Sequence, residues 1–307
     1  MKRLLLIDGN AIIHRAYHAY PPSFTDKEGN PTNAVYGFFA MLLKLLDEVK
    51  PTYLVICFDK GAPTFRMNMY AGYHANRPQM KDDLASQVPI LHSAITAIGI
   101  PHFGIEGYEA DDLLGTFSVL ATKDNLETII VTGDRDLLQL VNEHVRILMP
   151  LVGITKTIVY DENKVAEKFG VKPSQIIDYK ALVGDTSDNY PGVTGVGPKT
   201  ASELLKKYET FENLYKHIND LPPQLGGKLA TDAEQASLAK RLATIHKDAP
   251  VHLVLKDCDV KKFNQEKFIQ EFEKLGFTSL IKRLQLQTED SKKKKQDNSV
   301  SKQLELL

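Results

Sequence analysis

The sequence predicts an α/β fold built on a parallel sheet, followed by a helical domain. Three observations carry that prediction. Over the first half, short apolar runs alternate with helical patterns, the mark of parallel strands joined by crossover helices. From about Pro173 the apolar residues recur at helical spacing instead. The 307 residues also suffice for two domains at ~100–200 residues each.

Leu4 to Ile7 reads as a buried strand ending in Asp8. Val35 to Val49 is an amphipathic helix that stops before Pro51, and Tyr53 to Phe58 is a strand ending in Asp59. A weaker strand near Pro101 to Ile105 leads to Glu109, Asp111 and Asp112, which open a helix reaching about Lys123. Thr128 to Val131 is the fourth strand, with Asp134 and Asp136 just beyond it. Helices follow over Ser174 to Val183, Thr200 to Tyr208, Ala233 to His246 and Gln265 to Leu275, the last ended by Gly276. Val251 to Leu255 is a strand or an extended segment. The chain thus divides into an α/β domain over 1–173, a helical domain over 174–286 and a polar, lysine-rich tail over 287–307, without an internal repeat.

Composition narrows the class. A net charge of −1 does not announce a polyanion binder, although clustered acids would mask a basic surface elsewhere. Cys57 and Cys258 have no CxxC spacing, which points to buried thiols in a reducing compartment and not to a disulfide frame or zinc site. The opening apolar run ends after four residues at Asp8, too short for a secretory signal, and no later run spans a bilayer. These features predict a cytoplasmic protein with no membrane partner.

The acids carry the chemistry. Open α/β sheets bind ligands beyond the carboxyl ends of their strands. Here Asp8, Asp59, Glu109, Asp111, Asp112, Asp134 and Asp136 all follow strands, so they converge on one sheet edge. Crowded carboxylates raise one another's pKa and cost stability; a divalent cation removes that conflict. An all-oxygen set without Cys or His favours Mg²⁺ or Mn²⁺ over zinc.

Residues 184–201 join two more acids, Asp185 and Asp188, to Gly192, Gly195 and Gly197 and then Pro198-Lys199-Thr200. A dinucleotide fingerprint fails because Thr200 stands where the last small residue is needed and no apolar strand leads in. A P-loop fails because Pro198 occupies the lysine position. Two readings stay open on this segment alone: a hairpin whose N–H groups and following helix N-terminus face a nucleic-acid phosphate, or a plain turn between helices. Residues 60–89 likewise offer Arg66, Tyr70, Tyr73, His74, Arg77 and Lys81. Such interleaving suits single-stranded nucleic acid, and equally a surface excursion with snorkelling side chains.

Five blocks in order then resemble one family: Leu-Ile-Asp-Gly-Asn (6–10), Phe-Asp (58–59), Gly-Tyr-Glu-Ala-Asp-Asp (107–112), Thr-Gly-Asp-Arg-Asp (132–136) and Gly-Asp-Thr-Ser-Asp-Asn (184–189). With Gly-Val-Thr-Gly-Val-Gly-Pro-Lys-Thr-Ala (192–201), the chain from about Leu4 to Leu286 resembles the 5′-nuclease (flap endonuclease) family. Within it, the likeness is to the 5′→3′ exonuclease domain at the N-terminus of bacterial DNA polymerase I.

The resemblance implies a PIN-like (resolvase-like) nuclease domain with a helical arch near 60–89. It also implies a SAM-like helical domain with a helix–three-turn–helix near 184–208. The implied activity is 5′→3′ exonuclease and flap-endonuclease hydrolysis with two Mg²⁺ ions, Mn²⁺ substituting. The implied substrates are DNA with 5′ flaps, nicks or single-stranded 5′ ends, in replication and repair. Asp8, Asp59, Glu109, Asp111 and Asp112 would surround one metal and Asp134, Asp136, Asp185 and Asp188 the other, several through water. Arg66, His74 and Arg77 would act at the reacting phosphate. Tyr70, Tyr73, Lys81, Gly192, Gly195, Gly197, Lys199 and Thr200 would hold DNA.

One departure stands out: Tyr73-His74-Ala75-Asn76-Arg77 occupies the place of a family Tyr-Lys-x-x-Arg run. Histidine titrates in the neutral range where lysine does not, which predicts a functional but slower nuclease. If position 74 touches the scissile phosphate, His74→Lys changes the rate or its pH profile; an unchanged profile would refute that contact.

Two competing readings are a structure-specific DNA-binding protein with weak catalysis and a PIN-type ribonuclease. The intact acids oppose the first, and the duplex-holding module opposes the second. Finally, Gln303-Leu304-Glu305-Leu306-Leu307 resembles the Gln-Leu-x-Leu-Phe/Leu peptide that docks on bacterial sliding clamps, here on a charged tether. Gln303, Leu304, Leu306 and Leu307 are its clamp-binding residues, and the tail suggests a free-standing nuclease.

Overall fold

Strand alternation sends successive side chains to opposite faces, and this sheet is covered on both. In the computed structural model, which describes residues 2–61, 63–152 and 156–286, six strands form the central sheet. They are β1 (Arg3–Asp8), β2 (Tyr53–Cys57), β3 (His102–Phe103), β4 (Glu127–Val131), β5 (Val145–Val152) and β6 (Lys156–Tyr160), in the order β3-β2-β1-β4-β5-β6. All neighbours are parallel except the β5–β6 pair at one edge. The expected strands are present, and that edge hairpin adds two more.

Leu4, Leu6, Val55, Cys57 and Ile130 point to one face, where they meet helix Ala110–Lys123 and the helical domain. Leu5, Ile7, Leu54, Ile56 and Val131 point to the other, under helices Gly9–Ala19, Asn33–Val49 and Gln87–Ile98. Chain order leaves β1 to one side for β2 and to the other for β4. The crevice at such a reversal is the ligand position of open α/β sheets.

The C-terminal part departs from the expected 174–286 helical domain. Helix Gln265–Lys274 buries Phe268 and Phe272 with Phe39 and Leu91 on the far face of the sheet, and a helix over 278–286 adds Leu280 and Leu284. Residues from about 260 onward therefore pack with the α/β domain. Val251 to Leu255 forms no strand; a short 3-10 turn, Leu255–Cys258, follows it, and Asp259 bridges to Tyr53. Cys57 and Cys258 are buried and unpaired, as expected.

Helices Ile176–Val183 and Pro198–Tyr208 flank the glycine-rich stretch, with Pro198 at the first turn of the second, where a missing N–H costs nothing. Between them β7 (Gly184–Asp185) and β8 (Tyr190–Pro191) form a small antiparallel ribbon. Its backbones are close: a Cβ on Gly192 would lie 2.3 Å from the Gly184 nitrogen, and Gly184 has φ +79°. Both positions need glycine, one for contact and one for conformation as well.

Candidate metal and nucleic-acid site

Each strand end places its acid by local hydrogen bonding. Asp8 caps helix Gly9–Ala19, with Ala11 N–H donating to Oδ1 at 2.9 Å, while Thr132 Oγ1 donates to Oδ2 at 2.7 Å. Asp59, exposed, accepts from Ala110 N–H at 2.7 Å. Asp134 accepts from Asp136 N–H at 2.8 Å. Ser187 N–H donates to Asp185 Oδ1 at 2.7 Å.

These acids line one open cleft of ≈ 2360 Å³ together with Glu109, Asp111, Asp136 and Asp188. Small-molecule pockets run ~300–1,000 Å³, so the cleft suits a larger substrate.

The electrostatics define two groups that share Asp134. Burial, then mutual repulsion, lifts Asp8 to about 7, with Asp59 and Asp134 as the neighbouring charges. Asp111 is pushed well above the carboxylate range by burial and then by Asp134, Asp8, Asp59 and Glu109. In the second group, carboxylate oxygens of Asp136, Asp185 and Asp188 lie within 4.8 Å of one another. Burial, then Asp134, raises Asp136 to about 8. Asp134 itself is raised, chiefly by burial, and feels both Asp185 and Asp188.

The donor set fits divalent cations. It is all carboxylate, and it is over-crowded in negative charge, with oxygens of Asp136, Asp185 and Asp188 within reach of one ion. Asp8, Asp59, Glu109, Asp111 and Asp134 could hold one cation, and Asp134, Asp136, Asp185 and Asp188 another.

A residue the sequence reading missed neutralises part of this charge. The Lys180 ammonium, on helix Ile176–Val183, contacts both Asp136 and Asp185. Burial disfavours that charge, but the two acids outweigh it and hold the ammonium protonated. For Asp185, burial is the largest effect and acts upward, but Lys180 and the Ser187 hydrogen bond together outweigh it and leave its pKa below the usual value. The only sequence signal was a lysine five residues before Asp185 on an apolar helix.

Several expected site residues do other work. Asp112 is fully buried and does not line the cleft; it is not placed as a metal ligand. Its oxygens accept from Arg66 at 2.8 Å each, and from the N–H groups of Glu109 and His246. Arg66 is likewise no free phosphate contact. All five of its N–H donors are engaged, by Leu242 O, Glu109, both oxygens of Asp112 and Thr244 O. Removing one partner of such a buried pair costs ~3–5 kcal/mol; the pair ties Arg66 to helix Ala110–Lys123, and the Leu242 and Thr244 carbonyls tie the same guanidinium to the helical domain.

Tyr73 is buried, and its hydroxyl donates to Glu109 at 3.1 Å, so it offers no face to a base. Tyr70 packs beside it against Leu242 and Ala243 and does not line the cleft. Gly192 is buried against Gly184 and contacts backbone, not solvent.

Other assignments keep an accessible position. Arg77 is 49% exposed and donates to Asp188 at 2.8 Å. His74 stacks on Tyr73 and lies 3.0 Å from Asp188 through Nε2, so it meets a carboxylate of the second group. Against the effect of burial, His74 and Arg77 keep the Asp188 pKa below its usual value. Lys81 lines the cleft. Gly195 and Lys199 are exposed, with half-buried Gly197 and Thr200 at the start of helix Pro198–Tyr208. Among the described residues of 60–89, the short helices Phe65–Met69 and Asp82–Ala85, the turns between them and the start of helix Gln87–Ile98 stand in place of one long helical arch. Residues 303–307 lie outside the described residues.

Fold and site together define a resolvase-like α/β domain joined to a SAM-like helical domain, with an acid-lined cleft at the sheet edge. Two family models match in turn: the 5′–3′ exonuclease N-terminal resolvase-like domain over 3–170, and the 5′–3′ exonuclease C-terminal SAM fold over 171–266. The chain belongs to the 5′–3′ exonuclease family.

DNA polymerase I of Bacillus subtilis (strain 168) is 41% identical over 300 residues, covering 97% of this chain and 34% of the relative. The chain spans about a third of the length of the curated relatives it matches. The bacteriophage T5 D15 flap endonuclease, in a pseudo-enzyme-product complex with DNA and metal ions, superposes with TM-score 0.67 at 19% identity. That match covers 90% of this chain and 100% of the other. The catalytic core of Rad2 in complex with DNA substrate gives 0.53 at 17% identity, covering 89% and 86%. These two likenesses concern the fold.

Proposed function

We propose that this chain hydrolyses DNA as a divalent-metal-dependent 5′→3′ exonuclease and 5′-flap endonuclease. The observation that carries the reading is the pair of carboxylate groups sharing Asp134 at the sheet switch point, with Asp8 lifted to about 7 and Asp136 to about 8. Family membership and the metal- and DNA-bound fold relatives support it. Mg²⁺ is the proposed cofactor, two ions per site, with Mn²⁺ able to substitute. Bound in pairs, such cations supply water activation and leaving-oxygen stabilisation at a phosphodiester.

The chain's own residues do the rest. Asp8, Asp59, Glu109, Asp111 and Asp134 hold one side of the scissile phosphate's environment, and Asp136, Asp185 and Asp188 the other. Arg77, half exposed beside Asp188, supplies a cation that a phosphate can share. Gly195, Gly197, Lys199 and Thr200 present a helix N-terminus and an ammonium to the duplex backbone. Lys81 borders the single strand. Because β7–β8 joins Asp185 to that helix through one short ribbon, the distance from grip to cut is fixed by backbone.

Incubation with Mg²⁺ of a 5′-flap duplex, a nicked duplex and a matched RNA tests the reading. Cleavage of the two DNA substrates alone is expected; RNA cleavage or no cleavage would refute it. Replication and repair are the proposed settings, in the cytoplasm. Among the described residues no helix is long and apolar enough to cross a membrane. We also infer that Gln303, Leu304, Leu306 and Leu307 dock on a bacterial sliding clamp. Deleting 303–307 then abolishes co-elution with the clamp, and undiminished co-elution refutes the docking.

A further inference from the structure

One buried oxygen beside the Asp136–Asp185–Asp188 group, the Tyr190 hydroxyl, has no hydrogen-bond partner among the described residues. Tyr190 is 3% exposed. The β7–β8 ribbon sets its direction, because Asp185 and Tyr190 are directly opposed across it. Opposed residues of an antiparallel pair place their side chains on one face, with Cβ atoms ~4.5–5.5 Å apart. The tyrosine therefore shares a face with a carboxylate of the group. Its ring is held there by Tyr73, Ala239, Leu242 and Ala243. A phenol is protonated at neutral pH, so it has a hydrogen to donate.

A buried hydroxyl without a partner costs stability, so one placed beside a cluster of carboxylates calls for an explanation. Here the Lys180 ammonium occupies Asp136 and Asp185, while the Tyr190 hydroxyl goes without a hydrogen bond. We propose that Tyr190 is a positioning residue of this group, donating its hydroxyl hydrogen to a carboxylate oxygen when a divalent cation draws the three acids together. The inference rests on the reading of these acids as a cation site. It goes beyond that reading in assigning an uncharged member. Outer-shell donors of this kind orient ligands and tune metal affinity.

Calorimetric titration of Mn²⁺ into the full chain without DNA, for wild type and Tyr190→Phe, tests this. One of two classes of Mn²⁺ site should weaken about tenfold and the other remain unchanged. In EDTA, Tyr190→Phe should melt at or above wild type, since it loses only an unpartnered hydroxyl. The melting rise produced by Mn²⁺ should be smaller. Equal Mn²⁺ binding by the two proteins overturns the assignment while leaving the cation site intact. A lower melting temperature in EDTA with unchanged Mn²⁺ affinity shows a packing role and also overturns it. If wild type binds no Mn²⁺, or Asp185→Ala binds it equally well, the cation reading and this inference fall together.

Discussion

Asp134→Ala abolishes Mg²⁺-dependent cleavage of a 5′-flap duplex while the protein stays folded and still binds the flap. Asp134 is the one carboxylate that presses on members of both groups: it raises Asp8 and Asp111 on one side and Asp136 on the other. Losing it opens the shared wall between two proposed cation positions, so charge stabilisation at both is reduced together. Metal assistance supplies several kcal/mol of transition-state stabilisation, which corresponds to a loss of about 10³-fold or more in rate. The fold should tolerate the change. Asp134 lies on a loop beyond β4, and its side chain accepts a single backbone hydrogen bond among the described residues, from Asp136 N–H. Removing a crowded charge also relieves its neighbours. The measurement pairs a single-turnover rate with a flap-binding titration. A mutant that retains a tenth of the wild-type rate would show that Asp134 is not shared ligand space.

How much of this was legible without coordinates divides along one line. Acids that end apolar runs could be read, since the strand itself dictates where its last residue points and the parallel sheet brings those ends together. Asp8, Asp59 and Asp134 are legible for that reason, and Asp111 through the helix start that follows the third strand. The residues that failed were those whose partners are remote in sequence. Arg66 and Tyr73 carry the composition of a nucleic-acid surface, and nothing local reveals that Asp112 and Glu109, about forty residues later, consume their hydrogen bonds. Asp112 itself sits one place past Asp111 at the helix start, so the backbone turn of ~100° per residue sends it inward while its neighbour faces the cleft. Lys180 was hidden for the same reason in reverse: an isolated lysine on an apolar helix reads as a snorkelling surface group until the acids are in place. The return of helix Gln265–Lys274 to the sheet was equally unreadable. Amphipathic periodicity reports that a face is buried and not against what.

The metal-free protein should lose stability as pH rises from about 6.5 to 8.5, and Mg²⁺ should restore it. Asp8 at about 7 and Asp136 at about 8 stand above their ordinary value of 3.8, mainly through burial. Asp111, Asp134 and Glu109 shift the same way, again with burial first. The folded chain therefore binds more protons than the unfolded one in this range. Such groups contribute stability that is complete below the unfolded pKa and is lost as pH rises through the folded pKa. Between pH 6.5 and 8, Asp136 alone removes roughly 2 kcal/mol, at ~1.4 kcal/mol per pH unit. Asp185 and Asp188 are held below their ordinary value, so their contribution is lost only in more acid solution. His14 and His92 are lowered, chiefly by burial, and act in the opposite sense, but mainly below pH 6.5. Divalent cations bind the ionised carboxylates, so the melting rise caused by Mg²⁺ should grow with pH across the same window. Asp136→Asn should flatten the metal-free slope by removing one of the acids that burial raises. Thermal melts in EDTA at half-unit steps decide the matter. A melting temperature that stays level or rises between pH 6.5 and 8.5 would mean that these acids are solvated well enough to ionise without a cation, and the site would lose its main physical argument for metal.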